Sequence, residues 1–419
     1  MRTLVAVAVT VASVTAYAEN WPQWRGPFGN GVAAGTDYPV RWSRTENVAW
    51  KVALPGIGSS TPVVWEDHIF VTCPLDEQNG VLCFDRTGKL RWQQRLGRVR
   101  HGKHKKGSGT NPSPVTDGRN VWVYFKSGDL ACLDFSGKVQ WRRNLQQMYG
   151  EDTLWWDLGT SPVLTEDFVV VAVMHSGPSY LVAFEKRTGR VAWKQDRNLD
   201  APLESAQSYT TPQVIREGDR ELIVVLGADH VTCHDAKTGR EIWRVGGLNP
   251  TGQKYFRSIA SVAVSVEDEM VIAPYARGQT LTAIRLGGQG DVTQSHVAWV
   301  LQRRSADVPT PIAHRGKVYV VTDRGEVSCL RITDGHVLWE GQLERNRNHY
   351  SSSPVLGGDK LYLTREDGTT FVLAGDHFEV LAKNTLDEFT VATPVLVDGQ
   401  ILLRTAEHLW CIGKRAGNE

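Results

Sequence analysis

A Ser/Thr-Pro step recurs along the chain at Thr61-Pro62, Ser113-Pro114, Ser161-Pro162, Thr211-Pro212, Thr310-Pro311, Ser353-Pro354 and Thr393-Pro394. Ser261-Val262 fills the one gap, so successive steps lie 40 to 52 residues apart. No other feature restricts the fold as much. A period of that length means one supersecondary unit per repeat, each burying its apolar faces only against its neighbours. A second apolar run follows each step, as in "HIFVTC", "NVWVYF", "KVYVVT" and "KLYLTR", then a third, as in "VLCFD", "LACLD", "VTCHD" and "VSCLR". Five copies then place glycine four residues before tryptophan: Gly88/Trp92, Gly137/Trp141, Gly189/Trp193, Gly239/Trp243 and Gly335/Trp339. Glycine there suits a tight turn needing positive φ, and the tryptophan falls on a fourth strand, where it wedges against the next unit.

Four short antiparallel strands per period predict an all-β, eight-bladed β-propeller. The last repeat stops after its third strand, "HLWCIG", and its missing fourth strand is predicted in "NVAWKVALP" around Trp50. Closing the ring with both ends of the chain leaves no free sheet edge. The expected organisation is a signal peptide over 1–18, an N-terminal extension over 19–46, one propeller over 47–414 and a tail over 415–419. The signal peptide rests on Arg2, the apolar stretch Leu4 to Val14 and the small-x-small site Ala16-Tyr17-Ala18. It predicts a periplasmic or secreted protein without a lipid anchor, and no later stretch approaches transmembrane length. With 47 Lys+Arg against 46 Asp+Glu, no general affinity for nucleic acid or anionic membrane is expected, and the chain is expected to be a monomer.

Cys83, Cys132, Cys233, Cys329 and Cys411 share one third-strand position, which marks them as small buried hydrophobes. Cys73 is the exception. A loop at about residues 76–80 leaves open a Cys73–Cys83 disulfide across a hairpin.

The Ser/Thr-Pro starts, the "LACLD"-like third strands and the "TGR" turns before tryptophan resemble pyrroloquinoline-quinone-type propeller repeats over essentially the whole mature chain. That family includes quinoprotein alcohol dehydrogenases and the propeller lipoprotein of the outer-membrane β-barrel assembly machine. "WPQWRGPFGNGV", "HKKGSGTNPSPVTDG" and "GDVTQSHVAW" are most similar to exported propellers common in planctomycetes. The resemblance implies the fold. It departs from the dehydrogenases in lacking an adjacent Cys-Cys pair, and from the assembly lipoprotein in lacking an N-terminal lipidated cysteine.

No Gly-x-Ser-x-Gly elbow, His-Glu-x-x-His or phosphate-cradling loop is present. His101 and His104 are flanked by lysines that repel a cation, so no metal site is expected. In a four-stranded meander the loops between strands two and three share a face with the crossings between blades. The long loops Gly97 to Asn111, Gln146 to Leu158, Asp196 to Ser208 and Gly246 to Ser258 therefore collect on one side. The residues singled out for ligand or partner binding there are Lys103, His104, Lys105, Lys106, Trp156, Tyr209, Tyr255, Arg257, Arg347 and Tyr350. The run "GRVRHGKHKKGSGTN" is expected to form a local anion-binding patch. The leading expectation is a non-catalytic scaffold for an envelope protein or acidic glycan, with no cofactor. The alternatives are a quinoprotein-like oxidoreductase holding pyrroloquinoline quinone with Ca²⁺ over the channel and, less favoured, a polysaccharide lyase or hydrolase.

Overall fold

The computed structural model describes residues 19–414; the signal peptide and the C-terminal tail expected from the sequence lie outside them. Eight sheets form the ring, each with four antiparallel strands that meander in sequence order except in the last; the fourth sheet gains a short parallel fifth strand, Gly290–Asp291. Blade 1 comprises Val63–Trp65, His68–Leu75, Gln78–Phe84 and Leu90–Arg98, and blades 2 to 7 repeat that order. Blade 8 takes Val395–Val397, Gln400–Arg404 and His408–Ile412 from the C-terminal end and Val48–Ala53 from the N-terminal end. The register pairs Trp50 with Cys411 and Lys51 with Trp410. The shared blade is present as the sequence requires. Among the described residues the helices are single turns, such as Leu145–Tyr149, and no helix is long and apolar enough to cross a membrane.

The Ser/Thr of each repeat start has a specific task. The Thr61 N–H donates to Ser113 Oγ, Ser113 N–H to Ser161 Oγ, and so on through Thr211, Ser261, Thr310, Ser353 and Thr393. Thr393 N–H donates back to Thr61 Oγ1, with distances around the circle of 2.8 to 3.4 Å. A closed circle of eight hydrogen bonds therefore joins neighbouring innermost strands, satisfying backbone donors that no sheet ladder reaches. The hydroxyl is the common element, which is why Ser261 serves without a following proline.

The tryptophans weld the outer rim. The Trp50 indole N–H donates to Arg86 O at 2.8 Å, Trp92 to Phe135 O at 2.8 Å, Trp141 to Lys186 O at 2.8 Å, Trp193 to Ala236 O at 3.1 Å and Trp299 to Ile332 O at 2.9 Å. Each acceptor lies in the turn before the fourth strand of the following blade. The glycine of that turn passes under the ring: Gly88 has φ +84°, and a Cβ there would lie 2.7 Å from Trp50 Cδ2. The glycine and tryptophan that recur four residues apart thus serve different partners, the glycine receiving the preceding blade's ring. Blade 5 breaks the spacing because the connection 286–296, which includes the start of "GDVTQSHVAW" at Gly290, lays Gly290–Asp291 parallel to Trp243–Arg244 of blade 4.

All six cysteines are buried and free. The first hairpin turns at Asp76 and Glu77, shorter than the sequence loop, so Cys73 pairs with Gly80 while Cys83 lies opposite Phe70. Cys73 Sγ instead donates to Gly56 O at 3.0 Å. Burial pushes the Cys83, Cys132, Cys233 and Cys411 thiols up to about 12, so their thiolates are scarce at neutral pH. Melting is expected to be the same with and without reductant, and alkylation to require unfolding. An intact-mass measurement showing two or more disulfides would refute this.

The extension 19–46 is an integral part of the ring. Trp21 bridges Val64 of blade 1, Val32 bridges Leu356 of blade 7, and Pro22 O accepts from Thr116 of blade 2. The segment therefore crosses the channel at the end bearing the tight turns. It then runs out between blades 7 and 8, where Trp42 N–H meets Asn384 Oδ1 and Asn384 Nδ2 meets Val40 O, both at 2.9 Å. At the axis Arg25 is buried and donates to Pro354 O at 2.8 Å, Pro311 O at 3.2 Å and Asn30 O at 3.1 Å.

Candidate functional site

With the tight-turn end closed, the channel is a cup opening on the long-loop face. Its cavity measures about 720 Å³, with Trp24 at the floor, six of the eight circle hydroxyls at the neck and the long loops at the mouth. Trp24 Nε1 donates to Thr393 Oγ1 at 3.3 Å. The floor was the part sequence reasoning missed. Its only signal was two tryptophans, an arginine and three glycines in the non-repeating "WPQWRGPFGNGV".

Of the residues singled out from the sequence, His104, Lys106, Trp156, Tyr209 and Arg257 line the cavity. The other five stand apart from its wall. Lys103 turns its ammonium to Leu154 O at 2.7 Å, and Lys105, Tyr255 and Arg347 are exposed beside the mouth. Tyr350 is 2% exposed and packs on Phe371 beneath the surface, which removes it as a contact residue.

The basic loop is less positive in space than in sequence. Asp157, from the next crossing, accepts the N–H groups of Lys103 at 2.8 and 3.0 Å and of His104 at 3.0 Å, and the buried Lys126 ammonium as well. Arg100 pairs with Asp152 at 3.4 Å, His101 with Glu77 at 3.0 Å, and Lys106 reaches across to Glu366 at 2.6 Å. Carboxylates therefore offset the charge of Arg100 and Lys106, and Asp157 ties the backbone of the run down as a folded strap.

A belt of bonded groups circles the rest of the mouth. Trp156 Nε1 donates to Glu204 at 2.7 Å, Glu204 lies 3.5 Å from Arg257 Nε, and Arg257 Nη2 lies 3.2 Å from Asp307. The Asp307 N–H in turn donates to Asp323 Oδ2 at 2.8 Å, and Val308 N–H to its Oδ1 at 3.2 Å. Burial pushes both Asp307 and Asp323 up from the usual carboxylate range, against the pull of Arg257 on the first and of backbone donors on the second. These two acids do converge at the channel, as a lyase or hydrolase requires. Both, however, are bonded into the wall that positions the loops.

The same bonds bear on a quinone cofactor. A calcium ion beside the quinone needs several free oxygen ligands, and the mouth's buried carboxylates already accept guanidinium or backbone N–H groups. No cysteine lines the cavity. The one cluster of potential metal ligands among the described residues, Glu388 with Glu407 and His408, lies outside the cavity. There Glu388 accepts from Thr405 at 2.5 Å, His408 at 3.0 Å, Trp410 at 3.3 Å and Lys51 at 3.3 Å. The donor set does not fit a calcium–quinone pair.

The rim carries a second pattern. Ile57, Met148, Trp155, Trp156, Leu203 and Tyr255 are exposed large apolar residues, and all lie in crossings on the long-loop face. Trp155 and Tyr255 stand together, ring centroids 6.4 Å apart, and are 45% and 52% exposed. The crossings that carry Trp155, Trp156, Leu203 and Tyr255 are consecutive, making an apolar arc over blades 2 to 5.

A plugged eight-bladed propeller built from quinoprotein-type repeats is the class that fold and site define. The chain belongs to the family described as outer membrane protein assembly factor BamB, whose model matches residues 32–196 and 179–419. It is 22% identical over 324 residues to the outer membrane protein assembly factor BamB of Yersinia pestis, covering 76% of this chain and 75% of the relative. The crystal structure of BamB from Moraxella catarrhalis superposes with a TM-score of 0.62 at 14% identity, over 89% of this chain and 98% of that one. The quinohemoprotein alcohol dehydrogenase of Comamonas testosteroni superposes at 0.68 with 12% identity, over 96% and 82%. At these identities the structures share the fold alone.

Proposed function

We propose that this protein is an exported binding scaffold that engages a protein partner through the long-loop face. The apolar arc of Trp155, Trp156, Leu203 and Tyr255 carries the reading. Aromatic side chains exposed together at a rigid rim are the usual anchors of protein–protein interfaces, and they are costly to leave in water without a partner. The rigid ring and the bonded belt hold those anchors in place, so little ordering cost falls on binding. The family's description as an outer membrane protein assembly factor accords with a protein partner in the cell envelope, and the signal-peptide pattern accords with export.

A photo-crosslinking residue at position 255, in the native host, is expected to give protein adducts identifiable by mass spectrometry. The same residue at Arg240, on the opposite face, is expected to give none. The double variant Trp155→Ala/Tyr255→Ala should weaken binding of the identified partner at least tenfold, as for paired interface anchors. Equal adducts from both faces would defeat the proposal.

A further inference from the structure

Past Tyr255 the rim changes character. Arg277 and Arg303 in blade 5 and at its exit, Arg324 in blade 6, and Arg345 and Arg347 in the crossing to blade 7 are all exposed. None of their side chains makes a hydrogen bond or ion pair with a described residue. Arg277, Arg303 and Arg324 line the cavity mouth, and Arg345 and Arg347 share a loop with His349 and Ser351, which also line it. The contrast with the basic strap is direct. In the strap Arg100 and Lys106 are ion-paired; here the guanidiniums come from four loops and none is hydrogen-bonded or ion-paired, though Arg277 lies near enough to Asp307 to pull on its carboxyl.

Two of these arginines are held where a side chain is unwelcome. Arg277 has φ +55° and Arg303 φ +60°, left-handed conformations that L side chains disfavour. The Arg303 N–H donates to Gln279 O at 2.6 Å, and Gln279 N–H to Ala276 O at 3.2 Å, so the two loops fix each other. Strain of this kind concentrates at ligand clamps.

We propose that this arginine arc receives an acidic polypeptide segment of the partner, adjoining the part held by the apolar arc. The proposal rests on the protein-binding reading above and adds the chemistry of the partner. Guanidinium forks pair with carboxylates in bidentate fashion. The wall of this sector also carries Asp307, Asp323 and Glu326, but Asp307 is held by Arg257 and Asp323 by backbone N–H groups, so the exposed guanidiniums remain open to an added carboxylate. Continuity with the apolar arc favours a chain that carries apolar side chains and carboxylates in turn.

The test measures binding of fluorescent poly-L-glutamate to the full-length mature protein, with polygalacturonate as the carbohydrate polyanion. Poly-L-glutamate is expected to bind better than polygalacturonate, and raising salt from about 0.05 to 0.5 M should weaken it as the Debye length shortens. The variant Arg303→Ser/Arg324→Ser/Arg347→Ser should lose at least tenfold in affinity, with its melting temperature unchanged because exposed charges contribute little to stability. Lys103→Ser/Lys105→Ser/Lys106→Ser, on the strap, where Leu154 O holds the Lys103 ammonium and Glu366 that of Lys106, should bind within about twofold of wild type. Equal binding by the arginine variant, stronger binding of polygalacturonate, or no binding of either polymer would overturn the proposal. Should the position-255 adducts form while poly-L-glutamate fails to bind, the protein-binding reading stands and the acidic-segment inference falls.

Discussion

Deleting Asn47 to Pro55 is expected to abolish the monomeric fold, and Trp50→Ala alone to cost about 3 kcal/mol, the lower end for a large aromatic truncation because Trp50 is only partly buried. The strand joins the two ends of the chain. It completes the sheet with His408–Ile412, and Trp50 reaches over Gly88 to bond Arg86 O of blade 1. Lys51 adds a cation–π contact, its ammonium 4.2 Å from the Trp410 ring centroid. Without the strand, the edge of His408–Ile412 is unpaired and open to another chain. Of the hydrogen bonds between repeat starts, only Thr393 to Thr61 then spans the seam. Trp339→Ala is the internal control. That tryptophan occupies the same repeat position but packs on Phe378 and leaves its indole N–H unbonded, so its loss should cost less. Thermal denaturation and gel filtration read both effects. A truncated protein that melts like wild type and elutes as a monomer would disprove closure by this strand.

That strand was legible in the sequence because a repeat makes its own absences visible. A final unit that stops after "HLWCIG" points to a fourth strand elsewhere, and "NVAWKVALP" has the fourth-strand tryptophan. Face assignment followed from meander topology, which is why His104, Lys106, Trp156, Tyr209 and Arg257 were placed at the mouth correctly. Electrostatics was not legible in the same way. The charge on Lys106 is offset by Glu366, 260 positions later, and a run of basic letters carries no trace of that partner. Conversely, Arg277, Arg303 and Arg324 form no run at all, and only the ring brings them together. Tyr350 misled because an aromatic in a polar loop reads as exposed, whereas the loop folds its ring inward against Phe371. The Cys73–Cys83 pairing that the sequence left open is settled by a turn of two residues rather than five, which sets the register and gives Cys73 Gly80 as its partner.

Between the Trp21 and Val32 bridges that hold its two ends, the plug is anchored at the axis by Arg25, so Arg25 is where the cup should be easiest to open. Its guanidinium is buried without a carboxylate, and burial works against its charge. It persists because its planar fork satisfies three carbonyls, the buried ones of Pro311 and Pro354 and the half-buried one of Asn30. Lysine keeps the charge but has one compact head in place of the fork. Arg25→Lys is therefore expected to leave at least two carbonyls unsatisfied and to cost about 3 kcal/mol at 1–3 kcal/mol per orphaned group. For a chain of this size that is a melting shift of only about 4 °C, so a local probe is more telling. Trypsin should leave wild-type Arg25 intact under native conditions and cut after the lysine of the variant, because the released segment frays from the tight-turn face. Gly31→Ala supplies the converse test. Gly31 has φ +82°, and a Cβ there would lie 2.2 Å from Arg25 Nη2. It should therefore expel the guanidinium and expose Arg25 to the same cleavage, with the arginine itself unchanged. The ring should survive both variants, since the circle of hydroxyl bonds and the tryptophan welds lie outside the plug. If residue 25 stays protected in both, the floor of the cup is held by Trp21 and Val32 at its two ends rather than by the arginine at its centre.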